Sequence, residues 1–184
     1  MDQVKDRSFT LNKTLKWRFF VSAVSVICAG SLLHFAWEWS GRSAVVAVFA
    51  ATNESTWEHL KLAFWPALAL TPIQRIIYGA FPGWSPATAI RCLLPSLLIV
   101  ALFYGYTALS GSHYLAADLS IFALAIVAGE FLGHAALTRE FGSKARTGAY
   151  ALLILAALLF STLSFRPPDL FLFHVPPSTS ADAS

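Results

Sequence analysis

Charge is what this chain has least of. Asp, Glu, Lys and Arg make up 12% of its 184 residues, against roughly 25% in soluble domains. The residues AVILMFWYC reach 57% before the 10 glycines are counted, where a soluble domain holds about 45–50% with glycine included. A globule this short leaves much of its chain at the surface, so it cannot hide that much apolar side chain from water. A soluble globular enzyme is excluded, and the mean hydropathy of +0.62 agrees. Cysteine is almost missing. Cys28 and Cys92 lie in or beside apolar runs without a CxxC pair, which removes a zinc ribbon and a disulfide framework; both read as small buried hydrophobes. Walker A, HExxH, GxSxG and EF-hand patterns are absent too, so no motif announces a reaction. Nor do interleaved exposed aromatics accompany the basic residues, as nucleic-acid binders require. The net charge of +3 comes from short basic runs beside apolar segments, the pattern of membrane topology signals.

What is present is hydrophobic length. A helix needs about 20 residues to cross a hydrocarbon core, and five segments reach it: about Trp17–Trp39, Trp57–Tyr78, Thr88–Leu109, Tyr114–Leu137 and Thr147–Phe165. The apolar stretch Phe19–Trp37 is 19 residues long, beyond the signal-peptide h-region of about 7–15, and no small-residue cleavage site follows. It reads as an uncleaved signal anchor. The second segment is the weakest, interrupted by Pro66 and Pro72 and flanked by Lys61 and Arg75. Short loops make one all-α helical bundle, residues 1–165, the expected architecture. A Pro-rich tail, 166–184, follows; its aromatic part is expected to rest on the outer membrane surface and Ser178–Ser184 to be disordered.

Lysine and arginine set the orientation. With the N-terminus inside, the inner side holds Lys5, Arg7, Lys13, Lys16, Arg18, Arg75, Arg91, Arg139, Lys144 and Arg146, and the outer side only Arg42, Lys61 and Arg166. The expectation is N-in and C-out. The apolar piece Ala44–Ala51 is too short to cross and is expected at the interface or as a re-entrant segment.

The few polar residues near these spans are the candidate site. His34 and Glu38 are four apart on the first helix and share a face. Asn53, Glu54, Glu58, His59 and Lys61 cluster where the second begins, and His113 lies one turn before Asp118. If these converge, histidine nitrogen and carboxylate oxygen suit a divalent metal such as zinc, with His34, Glu38, Glu58 and His59 as the ligand set. A competing reading is structural: Ser55-x-x-Glu58 matches a capping box, and Glu58 and Lys61 can pair on the helix surface. Glu130 and His134 form a second same-face pair deeper in the bundle, where an ionisable group is expensive. Gly129 and Gly133 beside them form GxxxG, a close-packing signal. About 18 Å of helix separates Asp118 from Glu130, so the inner pair stands apart from the outer cluster.

The stretches His34-Phe35-Ala36-Trp37-Glu38-Trp39 and Asn53-Glu54-Ser55-Thr56-Trp57-Glu58-His59-Leu60-Lys61 resemble the HFxYEW and NESxWEHxKL motifs of an uncharacterised family of small bacterial polytopic membrane proteins. That resemblance implies a multi-pass protein of the bacterial plasma membrane and carries no activity. Three functions remain open. One is binding or conduction of a proton, metal ion or small polar solute through the outer His/Glu site. Five helices are few for alternating access, so transport requires a homo-oligomer. The second is a membrane-embedded metal-dependent hydrolase, which needs at least three of His34, Glu38, Glu58, His59 and His113 on one ion. The third is a non-catalytic subunit or assembly factor. The lipid bilayer is the expected partner and nucleic acid is not.

Overall fold

A computed structural model describes residues 2–79 and 81–176, with side chains from Trp17 onward. Every regular element among them is helical: α1 (Asp2–Trp39), α2 (Ala44–Ala47), α3 (Thr56–Tyr78), α4 (Trp84–Ser110), α5 (Leu115–Leu137), α6 (Ser143–Thr162) and a 3-10 turn at Phe171–Phe173. Four segments are long and apolar enough to cross a membrane: Trp17–Trp39 of α1, and α4, α5 and α6. Five were expected. The difference is α3, a 23-residue helix that carries Glu58, Lys61, Gln74 and Arg75. Its polarity has a place to go, because Glu58, Lys61 and Gln74 all point into the protein and are buried.

Helix α1 packs on α3 and α5, and both of these pack on α4, so the four helices close a ring. Helix α6 lies outside it against α4 and sends Phe160 to Phe64 and Trp57 of α3, at ring separations of 5.0 and 4.8 Å. Val26, Phe64, Cys92 and Ile126 fill the apolar core. The outward faces are just as greasy: Ile76 is 85% exposed and Leu109 91%. Buried ions with exposed leucine and isoleucine invert the soluble pattern. The arrangement suits a lipid surround, and the exposed Trp17 and Trp39 mark its two ends.

Proline and glycine set the helix spacing. Pro66 has no N–H to give the carbonyl of Leu62, four residues earlier. That oxygen faces Gly30 of α1, where an added Cβ would stand 2.4 Å from it. Pro95 likewise leaves the carbonyl of Arg91 without its helical donor. Across from it on α5, a Cβ on Gly129 would stand 2.6 Å from the Pro95 ring, and one on Gly133 2.1 Å from Cγ of Arg91. The two glycines of the GxxxG therefore receive a proline ring and an arginine stem.

Both peripheral segments fold onto the bundle. Between α1 and α3, Ala47, Ala50 and Ala51 are buried, and Phe49 meets the edge of Trp65 at 5.0 Å. The aromatic tail covers the Trp39 end of the helices. There the Tyr104 hydroxyl donates to the carbonyl of Phe171 at 3.2 Å, and Phe173 stacks on Trp57 at 4.7 Å. These two side chains give the tail an aromatic face inside the fold. Ser178–Ser184 lie outside the described residues.

Candidate functional site

Helices α1 and α3 run antiparallel and touch at Gly30 and Leu62. One turn beyond that contact on each helix, His34 and His59 face each other with ring centroids 5.3 Å apart. Glu54 closes the group from the preceding loop: its carboxylate lies 3.7 Å from Nε2 of His34 and 3.4 Å from Nε2 of His59. One ligand atom from each of the three residues fits within 4.8 Å of the others. The local sequence holds this geometry. Asn53 Oδ1 accepts the backbone N–H of Ser55 at 2.9 Å, forming an Asx turn that presents Glu54. Ser55 then caps α3 by accepting from the N–H of Glu58. His59 Nδ1 donates to the carbonyl of Ser55 at 2.9 Å. A carbonyl can only accept, so Nδ1 carries a proton; the charged ring donates Nε2–H to Glu54, and the neutral ring turns an Nε2 lone pair toward Glu54 and His34. Metal-binding histidines are oriented in this way.

The site opens to the surface, with the Glu54 side chain 67% exposed. The hydrogen bond with His59 holds the Glu54 carboxyl below the usual carboxylate range, against the opposing effect of partial burial. A carboxyl lowered by folding stabilises the fold above its unfolded value, about 4.3, and loses that contribution as pH falls through the lowered value. The Glu54–His59 hydrogen bond should therefore break in acid as the carboxyl protonates, and break again as pH rises through the His59 value, which, despite burial, Glu54 holds above the ordinary histidine range. Carbon NMR of the Glu54 carboxyl against pH reads this directly, and a midpoint at or above the ordinary glutamate value would sink it.

The other candidates are engaged elsewhere. Glu38 does not join the group, because it pairs with Arg42 at 3.2 Å on the exposed side of the turn after α1. Neither does Glu58, which is buried against Nζ of Lys61 at 2.7 Å. Glu58 also accepts from the N–H and hydroxyl of Thr52 at 2.8 and 2.9 Å and from Ser164 at 2.6 Å. Lys61 completes its ammonium with the carbonyl of Ala47 at 2.8 Å and Ser164 at 3.0 Å. The pair expected on the helix surface is thus fully internal and ties the α1–α3 connection, α3 and the end of α6 together. His113 turns to Asp118 at 2.9 Å. Asp118 also takes the Tyr106 hydroxyl, whose oxygen accepts the N–H of Tyr114 at 3.0 Å. Of the four expected ligands, His34 and His59 converge, and Glu54 takes the place of the two glutamates.

A second polar group lies inside the ring toward the Trp17 end, with a member from each of its helices. Arg91 of α4 donates Nε to Glu130 Oε2 of α5 at 2.9 Å. Ser22 of α1 donates to the same oxygen at 2.6 Å, while its own oxygen accepts from Arg91 Nη2 at 3.0 Å and Gln74 of α3 at 2.7 Å. His134 sits 3.4 Å from Glu130 Oε2 and donates Nδ1 to the Glu130 carbonyl at 2.9 Å. Sequence reasoning found Glu130 and His134 but missed their partners. The expected span begins at about Thr88, which puts Arg91 in its first turn and among the inner basic residues. The helix starts at Trp84, which puts Arg91 two turns inside, where an unpaired charge could not stay. Ser22 and Gln74 carry no comparable signal.

A model of the family of unknown function DUF6512 matches residues 7–178. No curated protein and no solved structure matches the chain.

Proposed function

The chain belongs to this DUF6512 family, and we propose that it is a multi-pass membrane protein that binds a divalent transition metal, zinc foremost, through His34, Glu54 and His59. The observation that supports this reading is the approach of three ligand atoms to within 4.8 Å, one of them on a ring already pinned through its other nitrogen. Ligands at about 2.0–2.1 Å in a tetrahedron lie roughly 3.3–3.5 Å apart. The 3.4 and 3.7 Å contacts run to different oxygens of Glu54 and the three ligand atoms lie within 4.8 Å of one another, so a shared ion has to draw the side chains together by roughly 1 Å or more. Two imidazoles and one carboxylate suit zinc rather than calcium or magnesium, which prefer all-oxygen sites. Three protein ligands leave one position for an exchangeable fourth, as handing on an ion requires. The hydrolase reading required three of His34, Glu38, Glu58, His59 and His113 on one ion, and only His34 and His59 of these converge.

Zinc titration of the detergent-purified full chain, by calorimetry and elemental analysis, tests the proposal. One zinc per chain is expected. His34→Ala or His59→Ala should weaken binding by more than the roughly 10–100-fold typical of losing an outer-shell partner, while Glu38→Gln and His113→Ala should leave it unchanged. A wild-type chain that takes no zinc, or equal losses in the two control variants, would overturn the site.

We propose further that the Trp39 end faces outward. Setting aside the buried Arg91 and Lys61 leaves nine basic residues toward the inner side and two toward the outer, so the bias persists. This orientation requires α3 to cross as well, its polar side chains sheltered by the ring. A C-terminal alkaline phosphatase fusion should then be active and a cytoplasmic-type fluorescent fusion dark. The reverse pattern would reject the orientation.

A further inference from the structure

The network toward the Trp17 end is incomplete in a specific way. Arg91 and Glu130 are each 1% exposed and His134 7%. Nevertheless Nη1 of Arg91, Oε1 of Glu130 and Nε2 of His134 have no hydrogen-bond partner among the described residues. All three belong to side chains already joined at Glu130 Oε2. A buried polar atom left unmatched carries its full desolvation penalty, and three in one cluster call for a ligand rather than for tolerance.

The atoms define its chemistry. Nη1 is a donor. Oε1 is an acceptor, and so is Nε2, because Nδ1 of His134 gives its proton to the Glu130 carbonyl. The occupant must accept one hydrogen bond and donate two. Ammonium has no lone pair to accept with, and chloride or a carboxylate has no proton to give. The Arg91–Glu130 pair is already neutral, which leaves no net charge to attract an ion. Space is also short, since Gly129 and Gly133 are filled by Pro95 and the stem of Arg91. A buried water usually makes about three hydrogen bonds to groups of this kind. We propose that Arg91, Glu130 and His134 hold internal water, one molecule or a short chain, among the four helices of the ring. This half of the bundle is then hydrated inside an apolar exterior, separately from the metal site at the Trp39 end.

Radiolytic hydroxyl labelling of the detergent-purified full chain tests this, because radicals formed from bound water mark neighbouring side chains that bulk solvent does not reach. His134 should be modified at a rate comparable to the exposed His174, while the equally enclosed Phe64 stays unmodified. Protection of His134 to the level of Phe64 would overturn the proposal.

Discussion

Arg91→Met should destabilise the protein by about 3–5 kcal/mol, the range for stripping one partner from a buried ion pair. At roughly 2–4 °C per kcal/mol for a chain of this length, thermal unfolding in detergent should fall by about 6–20 °C. The cost does not lie in losing attraction alone. Glu130 would be left buried without its cation, with Ser22 as its remaining strong donor among the described residues, inside a ring whose outer faces are apolar. The double variant Arg91→Met with Glu130→Gln distinguishes this cause from lost packing. Removing both charges should return a large part of the stability, because the penalty belongs to the charge left behind. An Arg91→Met protein that melts with wild type would show that the pair does not support the fold. A double variant worse than the single one would assign the loss to packing.

Lys61→Met is expected to be as severe, about 3–5 kcal/mol, with a different regional signature. The Lys61 ammonium uses all three protons, on Glu58, the carbonyl of Ala47 and Ser164. Its loss leaves the Glu58 carboxylate buried with only hydroxyls and one backbone N–H. It also removes the bonds that Lys61 gives to Ala47 of α2 and to Ser164 just after α6. Limited proteolysis should therefore open the connection between α1 and α3 before the rest of the chain. Lys61→Arg should rescue little, because a planar fork cannot copy three tetrahedral bonds in a space shaped for an ammonium. Cleavage patterns indistinguishable from wild type, together with an unshifted midpoint, would remove this pair from the stabilising framework.

The sequence made the helices legible because apolar runs of spanning length are hard to explain otherwise. Helix α3 was harder to read. Glu58, Lys61 and Gln74 lower its hydropathy, and only the fold shows that each is turned away from lipid toward a partner. Glu58 and Glu54 illustrate the same limit at the site. Both are carboxylates near His59 in sequence, but helix phase turns Glu58 inward to Lys61 while the Asx turn at Asn53 swings Glu54 across to the imidazoles. Residue type and spacing could nominate both and could not choose between them. Glu38 had a competitor four residues on, Arg42, which acts from a turn where helical spacing rules no longer apply. Arg91 is misread for a related reason: a span drawn from Thr88 leaves it in the first turn beside the inner basic residues, whereas the helix begins at Trp84 and carries it two turns in.

Pro66 and Gly30 act as a ruler for the proposed metal site without supplying a ligand. The carbonyl that Pro66 releases at Leu62 rests where Gly30 has no side chain, and this fixes how near α1 and α3 can come. His34 and His59 each stand a single turn from that point, so the bite of the two imidazoles is inherited from a backbone contact. Affinity at this centre is in that sense encoded twice, once in the ligand residues and once in a proline–glycine couple that any transplant of the three ligands onto another helix pair would have to carry with it.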